Sequence, residues 1–185
     1  MPRDPSLEDR VRAGASPARA TLVLGGARSG KSRRALTLAR PWSRRTLVAT
    51  AEALDAEMAE RIARHRRERD ASWTVVETST EVPAALDEHA GDGGVAVVDC
   101  LTLWLSNLMH RGRDVERETA SLVDAIAAAG AVVLVSNEVG LGLVPDNPLG
   151  RAFRDAQGRL NQRVAAACDR VEFVAAGLPL VLKGE

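Results

Sequence analysis

Short apolar runs alternate with helical patterns along most of this chain. Thr21–Leu24 reads as a buried strand, followed by a Gly-rich turn and a helix from about Lys31 to Arg40. Thr46–Ala49 reads as a second strand. Leu54 to about Arg67 is predicted to be helical, because Leu54, Met58, Ile62 and His65 fall along one stripe. Trp73–Val76 is a candidate short strand and Val82–His89 a helix. Val95–Val98 is a fully apolar strand ending in Asp99, with helices expected at Leu101–Met109 and Val115–Ala129. Ala131–Val135 is another buried strand, ending in Ser136, Asn137 and Glu138. Leu149–Cys168 reads as a long helix behind the turn Val144–Pro145–Asp146–Asn147. Val171–Ala175 and Leu178–Leu182 suit a hairpin around Gly177.

Continuous apolar strands that alternate with helices indicate an α/β fold with a mostly parallel sheet covered on both faces. Such sheets bind ligands at the carboxyl ends of their strands. Gly25, Thr50, Asp99 and Ser136–Glu138 end the strands here and are therefore expected along one edge. Residues 1–20 are rich in Arg, Asp, Pro, Ala and Gly without periodicity, and are expected to form a flexible tail. Residues 21–185 then form one domain. A chain of 185 residues can bury roughly 70% of its unfolded surface, so it needs no metal or disulfide to fold.

Between the first strand and first helix, Gly25-Gly26-Ala27-Arg28-Ser29-Gly30-Lys31-Ser32 fits G-x-x-x-x-G-K-[ST] at every constrained position. Glycines let the backbone wrap with its N–H groups inward, toward phosphate oxygens. The helix that follows adds its positive end. Lys31 is expected to neutralise the β- and γ-phosphates, and the Ser32 hydroxyl to ligate Mg²⁺. The strand before and the helix after argue against a chance match in a Gly-turn. Asp99, after Val-Ala-Val-Val, suits the acidic partner that holds Mg²⁺. Its alternative is a helix N-cap, and the phosphate loop favours the metal role.

Charge sharpens this picture. All but two of the 25 basic residues are Arg, the lysines being Lys31 and Lys183. In so Lys-poor a chain, Lys31 is kept for its chemistry. The formal net charge is zero, which offers no argument for nucleic acid or membrane partners. No signal peptide or bilayer-spanning run is visible, so a cytoplasmic protein is expected. Cys100 and Cys168 lack metal-type spacing and read as buried small hydrophobes.

Arg61, Arg64, His65, Arg66, Arg67 and Arg69 crowd the end of one predicted helix. The bland reading is a solvated helix end that complements the helix dipole, with His65 packed on the apolar stripe. The functional reading is that the arginines bind phosphates while His65 attacks phosphorus and forms a phosphoramidate. Neighbouring positive charge disfavours the imidazolium and keeps the ring neutral. It also stabilises a pentavalent transition state. Spacing leaves both readings open, and composition favours the packed histidine.

Four stretches together resemble one enzyme family. They are GGARSGKS at Gly25–Ser32, ATAEALDAEMAERIARHR at Ala49–Arg66, SNEVGLGLVP at Ser136–Pro145 and RAFRDAQGRLNQRVA at Arg151–Ala165. On these the chain resembles the bifunctional adenosylcobinamide kinase / adenosylcobinamide-phosphate guanylyltransferase family of cobalamin biosynthesis, over about residues 21 to 183. Many NTPases share the first block, and the other three carry the specificity. The resemblance implies a P-loop NTPase fold of RecA-like type, a three-layer sandwich. It also implies that His65, in the segment R-I-x-x-H, is the guanylylated residue. The nucleotide-contacting positions it implies are Thr50, Ala51 and Glu52 after the second strand, Arg66, Arg67, Glu68 and Arg69 after the histidine, and the acidic Glu77 and Asp99. Some members carry two adjacent histidines where this chain has Arg64-His65. His89 and His110 lie outside the matched blocks and are expected at the surface.

The family performs two reactions at phosphorus. The aminopropanol hydroxyl of adenosylcobinamide takes the γ-phosphate of ATP or GTP, with Mg²⁺. His65 would then accept GMP from GTP and pass it to adenosylcobinamide phosphate, giving adenosylcobinamide-GDP. The resemblance also implies a homotrimer with active sites near subunit boundaries. Glu138 is read two ways with equal weight, as the group orienting the acceptor hydroxyl or as a turn residue bonded to local backbone. One rival is another P-loop small-molecule kinase without guanylyl transfer. A GTP-hydrolysing switch protein would carry N-K-x-D, which is absent. A RecA-like DNA-dependent ATPase fits poorly with zero net charge and few aromatics.

Overall fold

The runs that are apolar on every residue lie side by side in the middle of one sheet, where both faces are covered. The computed structural model describes residues 18–52, 60, 72–91 and 93–184. Among the described residues there are seven strands: β1 (Ala20–Gly25), β2 (Arg44–Ala49), β3 (Trp73–Glu77), β4 (Gly94–Asp99), β5 (Ala131–Asn137), β6 (Arg170–Ala175) and β7 (Leu178–Lys183). Their order is β3-β2-β4-β5-β1-β6-β7. Every neighbouring pair is parallel except β6 with β7, which form the expected antiparallel hairpin.

The described helices are α1 (Lys31–Ala39), α2 (Val82–His89), α3 (Leu101–His110), α4 (Val115–Ala128) and α5 (Pro148–Ala167). Alternation along each strand divides the core between two layers. Leu22, Leu24, Val48, Ala96, Val98 and Leu134 face one side, packed against α2 to α5 around Trp104. Val23, Leu47, Val97, Val133 and Val135 face the other, against Ala35 and Ala39 of α1. The three-layer α/β arrangement expected from the sequence is therefore present.

Element ends differ from the sequence reading by a residue or two, for local reasons. The domain expected to start at Thr21 is already built at Arg19 and Ala20. Ala20 N–H donates to Asp169 Oδ2 at 2.9 Å. The Arg19 guanidinium donates to the carbonyls of Ile126, Ala127 and Ala129 at the end of α4, at 3.3, 2.8 and 3.1 Å. A cation there satisfies carbonyls the helix leaves open. α5 begins at Pro148 because Asn147 caps it, its Oδ1 accepting from Gly150 N–H at 2.7 Å. The predicted helix from Leu54 to Arg67 lies outside the described residues, apart from Glu60.

Candidate active site

Register places the strand ends together. Ala49 pairs with both Glu77 and Asp99, Asp99 with Val135, and Gly25 with Asn137 and Val174. Gly25, Thr50, Asp99 and Ser136–Glu138 thus share the carboxyl edge, as expected, and Glu77 at the end of β3 joins them.

The phosphate loop joins β1 to α1. A Cβ on Gly25 would stand 2.5 Å from Ser29 Oγ and 2.6 Å from the Val174 carbonyl oxygen, so only glycine fits. Gly30 caps α1 with φ +99°, in the left-handed region. The β6–β7 turn buttresses the loop from behind, with Gly177 N–H donating to Ser29 O at 2.8 Å. Lys31 Nζ lies 3.1 Å from Gly26 O, folded over the loop. Ser32 Oγ lies 3.5 Å from Asp99 Oδ1. A hydroxyl and a carboxylate converging at a phosphate loop are hard oxygen donors of the kind Mg²⁺ takes, with phosphate oxygens and water completing its shell. Among the described residues there is no cluster of three or more His, Cys, Asp or Glu suited to hold a metal alone.

Behind the loop, Arg34 of α1 donates to Glu172 of β6 through Nε and Nη2 at 2.7 and 2.8 Å. Arg170 Nε adds a third hydrogen bond at 2.8 Å. Burial alone would push the Glu172 carboxyl up, but the hydrogen bonds from the two arginines outweigh it and hold it below the usual range. The helix carrying Lys31 and Ser32 is thereby fastened to the sheet.

The other half of the edge is organised by α3. Its first turn supplies Thr102 Oγ1, which accepts from Asn137 N–H at 2.8 Å. Trp104 Nε1 donates to Thr80 O at 2.7 Å. Asn107 Nδ2 donates to Thr50 O at 2.9 Å and Ser79 O at 3.1 Å, tying the exit of β2 to the exit of β3. Thr50 Oγ1 donates to Cys100 O at 2.8 Å and accepts from Cys100 N–H at 2.9 Å, locking β2 against β4 just past Asp99. On the other side of β5, a buried cluster holds Asn137: Ser136 Oγ and Gln157 Nε2 meet Asn161 Oδ1, and Asn161 Nδ2 donates to Asn137 O at 3.1 Å.

The expected nucleotide-contacting residues fall into three groups. Gly25 to Ser32, with Asp99, form one connected site. Thr50 is buried in strand packing, and Glu52 beyond it pairs with Arg111. Hydrogen bonds from Arg111 and Ser79 hold the Glu52 carboxyl below its ordinary range. Glu77 ends β3, two strands from Asp99, and Ala51 follows Thr50 on the same edge. His65, Arg66, Arg67, Glu68 and Arg69 lie outside the described residues. Glu138 Oε1 accepts from Gly140 N–H at 2.7 Å, which is the local backbone bond that one of its two readings requires. Both cysteines are buried and free, as expected. Burial, and then the charge of Asp99, push the Cys100 thiol up, while burial pushes Cys168 up to about 12. Neither is poised as a thiolate nucleophile.

Sequence reasoning missed Asn107, Thr102 and Glu172. Asn107 had a signal: it is an amide on the apolar stripe of Leu-Thr-Leu-Trp-Leu-Ser-Asn-Leu, where a polar side chain must find partners.

Comparison with known proteins matches this chain to a family. A family model described as cobinamide kinase / cobinamide phosphate guanyltransferase matches residues 21–182. The bifunctional adenosylcobalamin biosynthesis protein CobP of Pseudomonas aeruginosa is 46% identical over 170 residues, covering 89% of this chain and 97% of that protein. Its counterpart CobU of Escherichia coli is 38% identical over 178 residues, covering 88% and 98%. Among solved structures, the flagellar accessory protein FlaH of Methanocaldococcus jannaschii superposes with a TM-score of 0.53 at 14% identity, covering 98% of this chain and 87% of that one. The type III secretion ATPase EscN of enteropathogenic E. coli does so at 0.54 and 12%, covering 88% and 44%. These two likenesses speak to the P-loop NTPase fold alone.

Proposed function

As this chain belongs to the cobinamide kinase / cobinamide phosphate guanyltransferase family, we propose that it runs both reactions at one phosphate loop, with a guanylylated His65 linking the halves of the second. The convergence of Lys31, Ser32 and Asp99 at the carboxyl edge carries this reading. The enzyme is a bifunctional kinase and guanyltransferase of adenosylcobalamin biosynthesis. Ser32 and Asp99 would hold Mg²⁺, which would supply neutralisation of phosphate charge.

In the kinase step, the acceptor's hydroxyl oxygen attacks the γ-phosphorus of ATP or GTP. The bond from that phosphorus to the β–γ bridging oxygen breaks, a nucleoside diphosphate leaves, and the hydroxyl proton passes to water. Loop N–H groups from Gly26 to Lys31 and the Lys31 ammonium hold the charge that shifts onto the leaving diphosphate. In the guanylyl step, a ring nitrogen of His65 attacks the α-phosphorus of GTP. The bond to the α–β bridging oxygen breaks, and pyrophosphate leaves, cradled by the same loop. A phosphate oxygen of the phosphorylated acceptor then attacks that phosphorus, the N–P bond breaks, and the imidazole is regenerated. The assignment to His65 rests on the family's R-I-x-x-H segment. By the same family resemblance the assembly is a homotrimer. Among the described residues no helix is long and apolar enough to cross a membrane.

The test uses GTP labelled at the α-phosphate, with Mg²⁺ and no corrinoid. Acid-labile, base-stable label on His65, lost in His65→Ala, is the expected result. An unlabelled protein that still binds GTP would instead be a P-loop kinase without the histidine intermediate.

A further inference from the structure

Apart from Val75, the large aliphatic side chains exposed among the described residues form two groups. One lies along the edge strand β7. The other lies on residues 139–149, the loop after β5 together with the first two residues of α5, where Leu141 is 80% exposed, Leu143 96%, Val144 65% and Leu149 67%. This loop is held at both ends. Glu138 N–H donates to Gly25 O at 3.1 Å, so the chain leaves β5 beside the first glycine of the phosphate loop. Gly140 N–H donates to Glu138 Oε1 at 2.7 Å and fixes the first turn. At the far end Arg151 Nη1 donates to Pro145 O at 3.0 Å. Three aliphatic side chains within four residues are thus anchored at the mouth of the site and turned to solvent. Concentrated apolar surface of this kind marks a binding site.

We infer that loop 139–149 is the docking surface for the corrin ring of the acceptor, with Leu141, Leu143 and Val144 against its apolar face. This rests on the proposed reading that a cobinamide is phosphorylated and guanylylated at the phosphate loop. The acceptor's hydroxyl, and later its phosphate, must reach phosphorus atoms held by that loop. The macrocycle is too broad to follow them in and must rest on the adjoining surface. Loop 139–149 adjoins it directly, through the Glu138–Gly25 hydrogen bond. A corrin presents methyl-studded faces with amides at its rim, and aliphatic side chains suit the faces. The competing occupant is a second copy of this chain. The acceptor is favoured because the loop adjoins the phosphate loop itself, and the elution volume of the variant below separates the two occupants.

The test is the double variant Leu141→Ser/Leu143→Ser. Both side chains are exposed, so the fold should stand. The expected result is an acceptor KM in the kinase reaction raised about tenfold or more, with kcat changed less than about twofold. The GTP Kd and the size-exclusion elution volume should stay at wild-type values. Leu141→Met/Leu143→Met should restore the KM. An unchanged acceptor KM overturns the assignment, as does dissociation of the assembly in step with lost activity, which would give the surface to a second copy. Equilibrium dialysis of cobinamide, followed by its visible absorbance, reads the surface without chemistry on protein loaded with a non-hydrolysable GTP analogue. Weaker retention by the serine variant supports the assignment, and equal retention overturns it. That readout holds whether or not His65 takes label, so failure of the guanylyl-histidine reading remains distinct.

Discussion

Arg34 grips Glu172 through two guanidinium nitrogens, at 2.7 and 2.8 Å, and the carboxylate it grips has no exposed surface. The pair joins the helix of the phosphate-binding residues to the strand leading into the C-terminal hairpin. It therefore transmits the position of the sheet to Lys31, one helical turn away from Arg34.

That pair sets an acid limit on stability. Glu172 is held below the ordinary carboxylate range when folded, so the native state binds fewer protons than the unfolded chain in acid. Its contribution is complete above the unfolded value, about 4.3, and is lost as pH falls through the lower folded value. Glu172→Ala should cost about 3 kcal/mol at neutral pH, because Arg34 and Arg170 are left facing each other. Urea unfolding at several pH values checks both claims: the variant should be less stable at pH 7 and show a shallower decline in acid.

Lys31→Ala should lower both activities by at least about a hundredfold. The kinase is assayed by phosphate transfer to cobinamide, the guanyltransferase by α-label retained on protein. Guanylylation at full rate in this variant would mean that the two reactions do not share the phosphate loop.

Asp99→Asn should raise the Mg²⁺ concentration needed for half-maximal activity by about 10–100-fold, with little change in thermal stability, since the amide preserves the shape at the end of β4. Titrating each reaction with Mg²⁺ measures it. An unchanged Mg²⁺ requirement would remove the metal role from Asp99.

Asn107→Ala removes the donor that Thr50 O and Ser79 O share, and should cost about 1–3 kcal/mol. The exits of β2 and β3 are then no longer tied together. Hydrogen exchange should speed up around Thr50 and Ser79 more than in β1 or β5.

Much of this was legible in the sequence because it is local. Val95–Val98 could only be an inner strand, and a carboxylate placed just after it had to reach the carboxyl edge. The spacing of Gly25, Gly30, Lys31 and Ser32 fits a phosphate loop, and the strand and helix that motif needs on either side are both present. The illegible parts join distant residues. Arg19 read as tail composition, but its partners are carbonyls more than a hundred residues later. Glu172 sits in an apolar strand, where only the fold brings Arg34 and Arg170 to it. Sequence leaves Glu138 two roles, because a turn glutamate bonded to Gly140 N–H and one aimed at a substrate have the same sequence. The expected histidine nucleophile came from resemblance and lies outside the described residues.

The hydrogen bond from Gly177 to Ser29 has a consequence for how the fold is assembled. β1, which leads into the phosphate loop, pairs with β5 and β6, each more than a hundred residues further along the chain. The turn that braces the loop lies beyond both, after β6. The motif is contiguous, but the segments that shape and brace it are remote. Contacts this remote in sequence fold slowly. A loop whose residues sit next to one another therefore takes its final form only with the slowest contacts of the fold.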